Sequence, residues 1–96
     1  MAMLLIRHRV CCFDTWKAVF DEDTAVRHAY GERSERAFRG ADDADEVLIC
    51  LEWDGQERAQ LFVRSDDLRE AMVRAGVAER PDIWILPEGT DHRAGA

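Results

Sequence analysis

The chain has no apolar run that approaches the roughly 20 residues of a membrane-spanning helix. Its 96 residues also hold no Cys-x-x-Cys pair, no Gly-rich phosphate loop, no internal repeat and no linker-like stretch. Each absence closes a class. Three cysteines, two of them adjacent at 11 and 12 and the third at 50, make neither a disulfide framework nor a metal-ligand spacing. They read as small buried or half-buried thiols, with a reactive thiol at Cys11 or Cys12, near a helix start, as the alternative. Without a Gly-rich loop there is no cradle for phosphates, and no Ser or Cys nucleophile stands beside a His in sequence. Positive charge is scarce: 13 Lys and Arg against 20 Asp and Glu leave a net charge of −7. That balance argues against nucleic acid as a partner. At the N-terminus, Arg7, His8 and Arg9 fall where a secretory signal would continue its apolar core. The expectation is one cytoplasmic domain with no membrane partner.

What is present is organised around residues 46–53, Glu-Val-Leu-Ile-Cys-Leu-Glu-Trp. Side chains alternate across a strand, so Val47, Ile49, Leu51 and Trp53 share one face. Leu48 and Cys50 share the other, with Glu46 and Glu52 at its margins. A strand apolar on both faces needs cover on both. Residues 3–10 read as another strand, with Leu4, Ile6, His8 and Val10 on one face and Leu5, Arg7 and Arg9 on the other.

Residues 13–30 read as one long helix, with Asp14 as N-cap and Phe13, Trp16, Phe20, Val26 and Tyr30 close to a single stripe. Asp21, Glu22 and Asp23 fall mid-helix on its wet side, and Gly31 suits a left-handed stop. Residues 34–39 are a charged outer strand, protected from wrong pairing by those charges. The turn-rich residues 40–45 join it to the central strand as a hairpin. After Trp53 two short helical pieces follow, 58–64 and 66–75, broken at Ser65, which caps the second; Gly76 closes it. Residues 82–86 form the last strand, again apolar on both faces, and Pro87 ends it.

The order is strand, helix, strand, strand, helix, strand. With right-handed crossovers and the third strand between the first and second, this is an α+β, ferredoxin-like βαββαβ fold. A four-stranded antiparallel sheet then carries all its helices on one face. The expected domain is residues 1–87, with residues 88–96 as a disordered tail. On the bare face Leu48, Cys50 and one of the pairs Ile83 and Ile85 or Trp84 and Leu86 would meet water. Such a patch marks an interface, and two sheets packed face to face through a two-fold axis would cover it, so the expected partner is a second copy in a homodimer. Arg7 and Arg9, with Glu52 across the sheet, read as an ion-pair set at that interface.

Three stretches carry a resemblance: LIRHRV followed by FDTWKAVFD within residues 5–21, ADDADEVLICLEWDG at 41–55 and SDDLREAMVRAGV at 65–77. They resemble small proteins of the dimeric α/β-barrel superfamily, and within it relatives of the antibiotic biosynthesis monooxygenase group. The resemblance implies a ferredoxin-like protomer, a homodimer through the sheets and a cavity in each protomer between sheet and helices. It implies functions ranging from cofactor-free oxygenation of polycyclic phenols to haem degradation, so the fold does not decide the chemistry. Active members of that group, as the resemblance implies, pair a pocket Asn with a Trp, and some use a helical His. This sequence contains no Asn. Trp53 stands at the Trp position without that polar partner, and the other histidines are His28, late in the first helix, and His92, in the tail.

The candidate site therefore rests on residues that face each other across the sheet–helix gap. His8 is the acid/base candidate, the one member that titrates near neutrality. Trp16, Phe20, Tyr30, Trp53 and Phe62 are the candidate pocket lining. The competing reading of His8 is a core histidine bonded to its neighbours, and that of the aromatics is plain packing. His8 and nearby carboxylates show no metal spacing, so neither a metal nor another cofactor is expected. The functional expectation is a homodimer resembling antibiotic biosynthesis monooxygenases with a pocket for a small aromatic molecule. A non-catalytic binding or stress-related dimeric module is the alternative.

Overall fold

A computed structural model describes residues 1–89. Its elements in chain order are β1 (Ala2–Arg9), α1 (Phe13–Glu22), α2 (Thr24–Tyr30), β2 (Glu32–Arg39), β3 (Glu46–Trp53), α3 (Gln56–Arg64), α4 (Asp66–Ala75) and β4 (Asp82–Leu86). The strands form one antiparallel sheet in the order β2-β3-β1-β4. Residues 90–96, most of the expected tail, lie outside the described residues.

Register decides which side chains meet the helices. β1 pairs with β3 through Leu4 opposite Leu51, Ile6 opposite Ile49 and His8 opposite Val47. These side chains are buried and form the core with Trp16, Trp53, Ala59, Phe62, Leu68 and Ala75 from the other elements. In β4, Ile83 and Ile85 pack against that core, whereas Trp84 and Leu86 are exposed. The open face therefore carries Trp84 and Leu86, the second of the two expected pairs.

Local chemistry explains several boundaries. Ser65 Oγ accepts a hydrogen bond from the Leu68 N–H at 3.2 Å and donates to the Phe62 carbonyl at 2.6 Å, ending α3 and capping α4 in one residue. Gly76 and Gly31 take left-handed conformations, φ 75° and 116°, where the chain leaves α4 and α2. Gly40 and Glu46 close the β2–β3 hairpin through Gly40 N–H to Glu46 O at 2.8 Å.

Four expectations are corrected. The segment 13–30 is two helices, split at Asp23, not one. Three consecutive acids at the C-terminal end of α1 oppose the helix dipole there, and Arg74 of α4 takes both Asp23 carboxylate oxygens at 3.0 Å. Asp14 is not the N-cap: Cys12 is, with extended backbone and no capping side chain, and Asp14 sits in the first turn. β2 begins at Glu32 rather than 34, because Gly31 reverses the chain within one residue. Arg7 pairs with Asp82 at 2.7 Å and Arg9 with Asp43, while Glu52 accepts from Ser34 Oγ at 2.8 Å, so the Arg7–Arg9–Glu52 set does not form within one chain. The arginines reach across to the loop ends and β4, where acids lie nearer.

Replacing Ser65 by Ala removes the only N-terminal side-chain cap among these four helices. Ser65→Ala is expected to lower stability by about 1 kcal/mol, read from the urea midpoint at unchanged slope.

Candidate functional site

A cavity of about 50 Å³ lies between the helices and the sheet. β1 supplies Ile6 and His8 to its lining, α1 supplies Trp16, Val19 and Phe20, and α3 supplies Phe62. The lining is almost entirely apolar, with Asp23, Arg27 and Asp67 as its charged members.

His8 reaches this cavity through strand alternation alone: it follows Leu4 and Ile6 on the buried face. It is 5% exposed. The Trp16 ring meets the His8 ring edge-on, centroids 5.8 Å apart at 66°. Trp16 in turn stacks on Phe20 at 4.9 Å, the product of their i, i+4 spacing on α1. Neither His8 Nδ1 nor Nε2 has a hydrogen-bond partner. The expected core histidine bonded to its neighbours is therefore not what the fold builds; the ring is in the core and unbonded. Burial pushes its pKa down from 6.5 to about 4, so the imidazole is neutral at physiological pH.

Of the proposed lining, Trp16, Phe20 and Phe62 meet His8 at the cavity, whereas Trp53 and Tyr30 do not. Trp53 is fully buried at the end of β3, tilted against Phe62 with centroids 5.1 Å apart, and its indole N–H has no partner. Phe62, which lines the cavity, is the aromatic ring that Trp53 packs against. Tyr30 packs edge-on against Phe62 at 5.4 Å and turns its hydroxyl outward to donate to Asp67 Oδ2 at 2.9 Å. That hydrogen bond raises the phenol pKa.

Arg27 is the residue that sequence reasoning missed. It is buried in α2, its guanidinium carbon 3.9 Å from the Phe20 ring centroid. Its Nε donates to Glu32 Oε2 at 2.5 Å, one Nη to the Phe20 carbonyl at 2.8 Å and the other to Thr24 Oγ1 at 3.2 Å. Helical spacing offered the one available signal: Arg27 lies seven residues after Phe20, on the same stripe. Burial raises the Glu32 carboxyl above the usual range, and Glu35 adds to this, while the Arg27 charge opposes both.

The cysteines differ from expectation. Cys11 and Cys12 are exposed, and Cys50 alone is half-buried. Cys12 occupies the N-cap position of α1, and the polar groups of the first turn, those of Thr15 foremost, lower its thiol pKa. Among the described residues no helix is long and apolar enough to cross a membrane.

No protein-family model matches the chain, and no curated protein matches it in sequence. Solved structures do. A Bordetella bronchiseptica protein named as an antibiotic biosynthesis monooxygenase superposes with a TM-score of 0.76 at 13% identity, covering 88% of this chain and 92% of that one. SnoaB, named as a cofactor-independent oxygenase from Streptomyces nogalater, gives 0.72 at 12% identity, with 94% of each chain covered. A Caulobacter crescentus protein named in the same monooxygenase group gives 0.71 at 14% identity, covering 90% of this chain and 87% of that one. The chain shares the fold of these monooxygenases. At such identities the likeness concerns backbone architecture, and it agrees with the sheet order and the one-sided helical layer described above.

The buried His8 has a measurable consequence. In the unfolded chain it takes up a proton near pH 6.5, whereas in the folded chain it does so near 4. The unfolded state thus binds more protons between these values, and stability falls as pH drops through that window. Between pH 7 and pH 5 this group alone is expected to cost about 2 kcal/mol. His8→Leu should lose that much less stability on the same acidification, measured by urea unfolding at both pH values. An equal loss in both proteins would mean that His8 is not buried in neutral form.

Proposed function

We propose that the protein acts as a cytoplasmic homodimer that takes a small aromatic molecule, a phenol, into the helix–sheet cavity, where His8 meets its hydroxyl. The reaction class is oxygenase-like and needs no bound cofactor. One observation carries this reading: His8 presents two buried, unbonded ring nitrogens to a cavity that is otherwise almost wholly apolar. A buried polar group without a partner costs free energy, of the order of 1–3 kcal/mol, and a phenol supplies both the missing partner and the apolar ring that suits the walls. The imidazole resists protonation when the cavity holds no charge. Beside a developing phenolate, the opposite charge offsets the effect of burial and makes His8 a better proton acceptor. The likeness to proteins named as monooxygenases, SnoaB among them, agrees with this chemistry.

A second reading is favoured by size. A space of about 50 Å³ accommodates water rather than a ring unless side chains move, and the stacked Trp16–Phe20 pair is what must shift. With no Asn in the chain to orient a substrate, a dimeric module that binds without turnover, or serves in a stress response, fits the same site.

The homodimer rests on the open sheet face. Adjacent strands bring Trp84, Leu5 and Cys50 into one row and Leu48 and Phe38 into the next. Phe38, Leu48, Trp84 and Leu86 are all exposed. A second copy related by a two-fold axis presents the same rows in return, and the Arg7–Asp82 ion pair on that face fixes register more than it adds stability.

Two experiments test the proposal. Phenolic substrates incubated with the protein in air are expected to turn over, and His8→Ala to abolish turnover. Binding without turnover, seen as tryptophan quenching, would select the binding module; neither binding nor turnover would contradict the site altogether. In sedimentation, Leu48→Asp is expected to give a monomer or an aggregate, whereas a soluble dimer of unchanged stability would contradict the sheet-face interface.

A further inference from the structure

Outside the cavity, on the other side of Arg27, the fold gathers three groups that the function above does not use. His28 Nε2, Glu32 Oε1 and Glu35 Oε2 lie within 4.8 Å of one another. The histidine nitrogen is 3.7 Å from each of the two carboxylate oxygens. We propose that these three side chains bind one divalent transition-metal ion of the zinc type.

The backbone assembles this cluster in two steps. Gly31, at φ 116°, turns the chain from α2 directly into β2, so His28 in the last turn of the helix faces the first residues of the strand. Residues three apart on a regular strand point to opposite faces. Here the register slips between Glu32 and Ser34: Glu32 pairs with Trp53, Ser34 with Glu52 and Glu35 with Leu51. The extra residue, Arg33, is a bulge. It brings Glu32 and Glu35 onto the same face as Trp53 and Leu51, the face under the helices.

The observation that points to a ligand is Glu32. Its side chain is 0% exposed, yet Oε1 accepts no hydrogen bond. Its other oxygen, Oε2, takes the Arg27 Nε–H at 2.5 Å. Arg27 thereby fixes the carboxylate in the manner of an outer partner that orients a metal ligand, and the free oxygen faces His28 and Glu35. An ion held at about 2.0–2.2 Å by tetrahedral nitrogen and oxygen ligands keeps them about 3.4 Å apart. The 3.7 Å separations need only a small closure. His28 is half exposed and Glu35 partly so, which leaves an entry path and a side for water to complete the coordination. One imidazole and two carboxylates suit zinc, manganese or iron(II) better than calcium or magnesium, which prefer oxygen alone.

The test uses the untagged full chain titrated with Zn2+ and, for its spectrum, Co2+. The expected result is saturable binding of one ion per chain with a raised unfolding temperature and a Co2+ spectrum free of thiolate bands. His28→Ala and Glu35→Gln, both at exposed or partly exposed positions, are each expected to weaken affinity at least tenfold with circular dichroism unchanged. The double variant Cys11→Ser/Cys12→Ser is expected to bind as the parent does. Unchanged affinity in both His28→Ala and Glu35→Gln would overturn the proposal. So would loss of binding in the cysteine variant, or no saturable binding at all, which would leave Glu32 and Glu35 as a carboxyl–carboxylate pair sharing a proton.

Discussion

The register between β1 and β3 is the constraint on which the rest of the molecule depends. Leu4, Ile6 and His8 face the helices because they stand opposite Leu51, Ile49 and Val47. A slip of one residue would bring Leu5, Arg7 and Arg9 inward, opposite Leu51, Ile49 and Val47, and no arrangement of the helices would bury two arginines there. The aliphatic run on this face is what fixes the register, and His8 is carried inward with it. An imidazole is thus placed in an apolar site by its neighbours' burial and receives no protein hydrogen bond in return. The same alternation sends Trp84, Leu86, Leu48 and Phe38 to the opposite face. One strand pattern accordingly creates both the cavity group and the apolar surface.

Arg27 ties the two polar features of the helical layer together. Its guanidinium stacks on Phe20, which lines the cavity, and holds Glu32, which begins β2. A buried ion pair of this kind adds little net stability in itself, since desolvation offsets attraction, but losing one partner strands the other charge. The geometry of α2 relative to β2 therefore depends on both being present. The aromatic stack of Trp16 and Phe20 continues this line back to His8. Any movement that admits a ligand beside His8 disturbs a continuous chain of contacts that ends at Glu32.

How much of this was legible depended on distance along the chain. Ser65, Gly31 and Gly76 act within a turn of themselves, so the breaks they impose are plain in the sequence, as is the alternation in residues 46–53 that sets the central strand. The split at Asp23 is not, because its partner Arg74 is 51 residues away. The bulge at Arg33 is equally hidden: it exists only in the pairing with β3, and it alone brings Glu32 and Glu35 together. The partners of Arg7 and Arg9 come from β4 and the loops and could not be read from strand spacing. At the cavity, His8, Trp16, Phe20 and Phe62 follow from periodicity. Trp53 and Tyr30 share that periodicity, yet Phe62 and Asp67 take up their rings and hydroxyl, a matter of packing between elements.

The most direct test is a proton NMR titration of the His8 imidazole, assigned by its disappearance in His8→Leu. A ring buried in neutral form is predicted to titrate near pH 4, well below the 6.5 of an unperturbed histidine, and to shift when a phenol is added at neutral pH. A midpoint at or above 6.5, with no response to phenols, would mean that His8 is solvated or paired within the protein, and the cavity would lose the one polar group on which its proposed chemistry rests.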